Sequence, residues 1–193
     1  PLINTPSEVI LEVDNLATRY QPKLENISFN LRKGEILGIY GLVGAGRSEL
    51  LESLFGVRQI AEGKITYQGK RIRFKSSKEA MDNNFAFVTE ERKVNGMFNK
   101  SDLVFNTCIT NLDKYTNYGL ISNSLMEKAA KREINAMHVK CSSENDNISS
   151  LSGGNQQKII IGKWLERSPD VFLMDEPTRG IDIMAKYQIY ELM

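Results

Sequence analysis

At 193 residues the chain is long enough to bury a hydrophobic core without disulfide or metal staples. Its 25 Lys+Arg nearly cancel its 24 Asp+Glu, which leaves no strongly basic field to attract nucleic acid or an anionic membrane surface, so nucleic acid is not an expected partner and any membrane association is expected to go through another protein. No apolar stretch approaches the roughly 20 residues that span a bilayer, and the opening run Pro1 to Pro6 lacks the basic and apolar regions of a signal peptide; the expected location is cytoplasmic.

Val9 to Val13 and Ile27 to Leu31 read as strands, the second alternating apolar and polar as an antiparallel edge sheet requires. Glu35 to Tyr40 is a more continuously apolar run feeding a Gly-rich turn and then a helical stretch, Ser48 to Phe55, so a strand, loop and helix unit of phosphate-binding type is expected. Gly63 to Tyr67 and Phe85 to Thr89 read as further strands. Between Lys100 and Ser150 the texture becomes helical, with a helix expected over Leu125 to Val139. His138 on that pattern is expected at the surface. Cys108 and Cys141 lie far apart, without metal-ligand spacing, and read as reduced thiols without chemistry. Asn155 to Arg167 reads as a helix whose Ile160, Ile161, Trp164 and Leu165 form one apolar stripe; Pro169 turns the chain into an apolar strand, and another helix begins near Asp182.

Three places carry chemistry. Gly41-Leu42-Val43-Gly44-Ala45-Gly46-Arg47-Ser48 fits the phosphate-loop pattern except at one position: Gly44 and Gly46 allow backbone N–H groups to turn onto phosphate oxygens, and Ser48 offers a hydroxyl to Mg²⁺. Arg47 stands where that pattern has Lys, and a bulky planar fork does not replace a compact point charge, so fast hydrolysis at this loop is not expected. Val171 to Met174 ends in Asp175 and Glu176, which is how a nucleotide hydrolase presents a metal-binding Asp and a water-activating Glu at a strand's carboxyl edge. Just upstream, Ser152-Gly153-Gly154 opens a helix, an anion-binding N-terminus with room for a phosphate to approach.

In this order these runs resemble the ATP-binding domain of ABC transporters, Leu151 to Lys158 matching the signature motif and Val171 to Pro177 the Walker B motif. The resemblance implies an α/β fold: a P-loop NTPase core of the ABC ATPase kind with an antiparallel β subdomain and a helical insertion, residues 8–99 and 168–193 forming the β and core subdomains and 100–167 the helical signature subdomain. It implies ATP and Mg²⁺ as cofactors, with Gly41, Gly44, Ala45, Gly46, Arg47 and Ser48 on the phosphates, Ser48 and Asp175 on the metal, and Glu176 as general base. Tyr20 stands where the family stacks an aromatic ring on adenine, although a Tyr at a strand end also serves simple packing. Glu90, in the run Thr89-Glu90-Glu91-Arg92-Lys93, takes the place of the family's Q-loop Gln, in the segment that links nucleotide to the helical insertion and the membrane partner; a solvated charge run is the alternative. Ser152, Gly153 and Gly154 would act on nucleotide held by an opposing domain. Asp182 would cross that interface or cap the helix after it.

Within the family, Gly44 to Arg47, Thr89 to Lys93, Leu151 to Lys158 and Asp175 to Asp182 look like the second half of the tandem ATP-binding subunit of bacterial monosaccharide importers, and Phe87 to Arg92 with Ile159 to Leu165 most resemble the galactose branch. That implies a first nucleotide-binding half in the same polypeptide, membrane permease subunits, a periplasmic or lipid-anchored sugar-binding protein, and a peripheral position on the cytoplasmic face of the membrane. A catalytically weak regulatory module, or an importer of ribose, a nucleoside or an autoinducer, remains open on these residues. Because the chain stops at Met193 inside a predicted helix, a longer polypeptide, truncated at its C-terminus, is expected.

Overall fold

A computed structural model describes residues 8–193; the opening run Pro1 to Pro6 lies outside the described residues. The chain forms two compact units, one ending at Phe85 and the other running from Ala86 to Met193.

The first unit is built on a four-stranded antiparallel sheet in the order β2-β1-β3-β4, from β1 (Val9–Thr18), β2 (Ile27–Arg32), β3 (Ile60–Tyr67) and β4 (Lys70–Ile72). Alternation decides which face is covered: Leu11 and Val13 are buried while Glu12 and Asp14 between them are exposed. Two helices complete the unit, α1 (Arg47–Leu54) and α2 (Ser77–Asp82), the latter capped by Ser76, whose side chain accepts the Glu79 N–H at 3.3 Å. Phe85 packs edge-on against Tyr67 and Phe74, with ring centroids 5.0 and 5.1 Å away.

The strand expected over Glu35 to Tyr40 is absent: the segment is irregular, and Tyr40 is 93% exposed. Its apolar run has the composition of a buried strand, but a strand is defined by a ladder, and among the described residues no partner strand pairs with it. The loop and helix that follow form as expected.

The second unit holds a pair of short strands, β5 (Phe85–Val88, whose first residue closes the first unit) and β8 (Val171–Met174), together with the helical segment. Four helices lie in it: α3 (Leu103–Cys108), α4 (Asn123–Ala136), α5 (Gly153–Leu165) and α6 (Ile183–Leu192). A π-helical turn (Arg92–Gly96) and a small hairpin of β6 (Thr116–Asn117) and β7 (Leu120–Ile121) were not foreseen from the sequence. Each helix starts on a side chain that accepts a first-turn amide: Asp102 from Phe105 at 2.7 Å, Ser122 from Leu125 at 3.4 Å, Asp182 from Ala185 at 2.9 Å. One core cluster joins Val104, Cys108, Tyr115, Met126, Ala129 and Ala130, and burial pushes the Cys108 thiol up to about 11. His138 is exposed, and its left-handed backbone (φ 49°) ends the helical run before Val139.

Helix α5 is buried on nearly every side rather than along one stripe. Ile160, Ile161 and Trp164 are covered as expected, but Leu165 is 39% exposed and Lys163 is only 7% exposed. The Lys163 ammonium donates to the Gly96 carbonyl at 2.6 Å, and burial pushes its pKa down to about 8 from 10.5. A second internal tie is Asn106, also buried: its side chain accepts the Phe98 N–H at 2.8 Å and donates to the carbonyls of Phe98 and Asp102 at 3.1 and 2.9 Å, which pins residues 98–102 against α3.

Two outcomes are expected. Asn106→Leu leaves the Phe98 amide without its buried acceptor, while the Phe98 and Asp102 carbonyls keep the backbone N–H groups of Ser101 and Asn106, and lowers unfolding stability by about 1 to 3 kcal/mol in denaturant titrations. For Lys163, the unfolded chain holds its proton up to pH 10.5 and the folded chain only to about 8, so the unfolded state binds more protons in between and stability rises with pH there. Wild type therefore gains about 2 kcal/mol relative to Lys163→Met on going from pH 8 to pH 10, read as the difference between their two unfolding curves.

Candidate functional site

The phosphate-type loop lies in the first unit, running from Gly41 to Gly46 into α1. Gly44 (φ 80°) and Gly46 (φ 89°) take left-handed backbone on either side of Ala45, whose N–H closes a turn onto the Leu42 carbonyl at 3.0 Å. Alternating handedness turns amides toward one side and forms an anion-binding concavity. Gly46 is also the N-cap of α1 and brings no side chain to its first amides; a Cβ there would stand 2.4 Å from Leu24 Cδ2. The stem of Arg47 curls back along the loop, its Cδ 3.6 Å from where a Gly41 Cβ would sit. Ser48 is half-buried in the first helical turn. Tyr20, in the connection between β1 and β2, is 58% exposed, so its ring is not a core packing element.

The remaining site residues lie in the second unit. Asp175 N–H donates to the Val88 carbonyl at 2.9 Å, which places the carboxyl ends of β5 and β8 side by side. Glu90 leaves one end and Asp175 and Glu176 leave the other, the edge of a sheet at which ligands bind in α/β folds. Asp175 is 5% exposed. Glu176 holds a left-handed backbone at φ 44°, a conformation that costs a non-glycine residue on the order of 1 to 3 kcal/mol and concentrates at functional positions. The Arg179 N–H, donating to the Glu176 carbonyl at 2.9 Å, closes the turn that holds it there.

Ser152 caps α5, accepting the Asn155 N–H at 3.5 Å and the Asn155 side-chain amide at 3.1 Å. Gln156 is buried and ties the approach to this cap, donating to the carbonyls of Ile148 and Leu151 at 3.3 and 3.1 Å. The two glycines permit close approach within the chain. A Cβ at Gly154 would meet Ala185 Cβ at 2.4 Å, and one at Gly153 would meet Arg92 Nη2 at 2.8 Å. Asp182, 3.7 Å from that Gly154 position through its second oxygen, caps α6. The second unit therefore brings together Glu90, Asp175, Glu176, Ser152, Gly153, Gly154 and Asp182, while Tyr20, Gly41, Gly44, Ala45, Gly46, Arg47 and Ser48 belong to the first.

Two arginines hold this arrangement and were not singled out as site residues. Arg92 turns inward, donating to the carbonyls of Arg179 and Gly180 at 2.7 and 3.3 Å, and Arg179 is ion-paired with Glu90. The charge run Glu90 to Lys93 is thus not wholly solvated. Its mixed signs were the available signal, but which charge pairs with which is set by the turn at 92–96.

No group of three or more His, Cys, Asp or Glu among the described residues forms a metal cage. Mg²⁺ is a metal that keeps waters and binds through one or two protein oxygens plus phosphates; the Ser48 hydroxyl in the first unit and, separately, the Asp175 carboxylate in the second are each oxygen donors of that kind. No helix among the described residues is long and apolar enough to cross a membrane.

A family profile described as "ABC transporter" matches residues 24–179. The galactose/methyl galactoside import ATP-binding protein MglA of Treponema denticola is 63% identical over 190 residues, covering 98% of this chain and 38% of that protein. The protein of the same name from Treponema pallidum is 61% identical over 190 residues with the same coverage, and that from Fusobacterium nucleatum is 51% identical over 191. The chain spans 38% of the length of these relatives. Among solved structures, a nucleotide-free ATP-binding cassette from an ABC transporter matches with TM-score 0.80 at 20% identity, over 96% of this chain and 76% of that one. A dimeric cassette in a post-hydrolysis state bound to ADP and Pi matches with TM-score 0.78 at 22% identity, over 95% of this chain and 81% of that one. At such identities the structural likeness is one of fold. Profile and relatives together identify the chain as an ATP-binding domain that belongs to the ABC transporter family.

Proposed function

We propose that this chain binds and hydrolyses ATP as the second nucleotide-binding half of a monosaccharide importer of the galactose and methyl galactoside kind, on the cytoplasmic face of the membrane. The observation that carries this reading is the junction of β5 and β8, where Asp175 and the strained Glu176 stand at the sheet's carboxyl edge and α5 starts on Ser152 in the same unit. The name that relatives at 51 to 63% identity carry supports the sugar class.

In this reading the backbone from Gly44 to Gly46 and the start of α1 cradle phosphate oxygens, and Arg47 supplies positive charge less compactly than Lys. Ser48 and Asp175 would hold Mg²⁺, which when bound neutralises charge on the triphosphate. Glu176 accepts a proton from the attacking water, and Glu90 orients it. Tyr20 offers a ring face to adenine. Ser152, Gly153 and Gly154, with Asp182 beside them, meet the phosphates of nucleotide held by the first half of the same polypeptide, and residues 100–167 form the subdomain that carries them. Residues 8–99 and 168–193 form the β and core subdomains. Permease subunits, and through them a periplasmic or lipid-anchored sugar-binding protein, complete the assembly. Arg47 favours one second reading, a weakly hydrolysing regulatory module.

Fluorescent ATP-analogue titration of the purified chain with Mg²⁺ tests the nucleotide site: saturable binding weakened by Ser48→Ala and tightened by Arg47→Lys is expected, and absence of binding refutes it. Steady-state ATPase of the full-length protein separates the two readings, since a clear rise with Arg47→Lys from a negligible wild-type rate favours the regulatory module. In the same full-length protein, Gly153→Asp is expected to abolish sugar transport more completely than Glu176→Gln, because the added carboxylate faces the phosphates of nucleotide held by the first half, whereas Glu176 serves the loop in which Arg47 stands in place of Lys. Vesicle transport rates measure both; equal loss would place the essential turnover at the Arg47 site.

A further inference from the structure

Three carboxylates converge on one guanidinium in the second unit. Arg179 Nη1 is ion-paired with Glu90 Oε1 and lies 3.4 Å from Glu91 Oε1, and its Nε lies 4.0 Å from Glu176 Oε2. Glu90 and Glu91 leave the end of β5, whereas Glu176 and Arg179 leave the end of β8, so the cluster spans both strand exits. The arginine is itself fixed. Its backbone N–H donates to Glu176 and its carbonyl accepts from Arg92 at 2.7 Å, while Arg92 also holds the Gly180 carbonyl at 3.3 Å.

Carboxylates gathered this closely repel one another, and each one left uncompensated also repels an approaching polyanion. A planar fork with several donors serves more than one carboxylate at once in a way that an ammonium does not. We propose that Arg179 is a charge-compensating positioning residue: by pairing with Glu90 and standing beside Glu176 it lets an acidic residue occupy the strand exit without expelling nucleotide phosphates. The assignment rests on the nucleotide-binding reading of the chain. It explains how Glu90 is tolerated where the sequence resemblance leads one to expect a neutral amide, since an ion-paired Glu presents little net charge. It also gives Arg92 a task, holding the backbone from which Arg179 reaches across.

The test compares wild type, Arg179→Ala, Glu90→Gln and the double variant by titration with a fluorescent ATP analogue in Mg²⁺. Arg179→Ala removes the guanidinium from beside the three carboxylates and weakens binding about tenfold. Glu90→Gln alone tightens it, and the double variant recovers most of the lost affinity, a rescue that a merely structural role for Arg179 would not produce. Unchanged affinity in Arg179→Ala, or a double variant as weak as the single, overturns the proposal. Unfolding of the same four proteins without nucleotide reads the ion pair independently: a coupling factor of about threefold between positions 90 and 179 is expected, and strict additivity overturns the pairing. Wild type that fails to bind nucleotide while showing that coupling overturns the functional reading, and with it the affinity role, but leaves the ion pair standing.

Discussion

The hydrogen bond from Asp175 N–H to the Val88 carbonyl joins two four-residue strands that are too short to persist alone, and Glu90, Asp175 and Glu176 leave the fold beside that junction. Because the two strands finish side by side, Glu90 and Glu176 emerge at one edge although 86 positions of chain separate them. The intervening residues form the helical segment, whose packing fixes where α5 begins. A shift of one residue in this pairing would turn Asp175 to the opposite face of the sheet and leave the edge without its buried carboxylate.

Helix α5 shows how a functional start is built on a buried body. Gln156 and Lys163 are polar residues inside the fold, and each directs its side chain onto backbone carbonyls: Gln156 onto Ile148 and Leu151 before the helix, Lys163 onto Gly96 in the π-helical turn. The first tie steadies Ser152, and the second attaches α5 to the segment carrying Arg92. Gly153 and Gly154 then serve two demands at one place. They leave the helix start open, and they allow Arg92 and α6 to approach more closely than any Cβ would permit.

The charge arrangement follows a similar economy. Near-neutral overall composition conceals a local gathering of carboxylates at the strand exits, and Arg179 is a cation set among them. Strain at Glu176 is held by the same turn that positions Arg179, so the geometry of the acidic residue and the compensation of its charge come from one short segment, 176–180.

From sequence alone, the elements whose signal is local were legible. β1, β2 and β3 read as strands, β2 by its alternation; cap residues marked α5 and α6, and the Ser-Gly-Gly turn and the Asp-Glu pair were readable as chemistry because each needs particular residue types at fixed spacing. The phosphate-type loop was readable for the same reason, since left-handed backbone at Gly44 and Gly46 is a glycine property. What depends on partners was not. Glu35 to Tyr40 has a strand's composition yet forms none, because hydrogen-bond pairing belongs to the neighbour as much as to the segment. Leu165 left the expected stripe, and Lys163 entered the interior, because the surroundings of α5 cover it on nearly all sides. Most of all, the meeting of Arg179 with Glu90 and Glu91, and of Arg92 with the 179–180 backbone, joins residues 87 to 89 positions apart; only the tertiary fold, by setting two strand exits next to each other, decides which charges become partners.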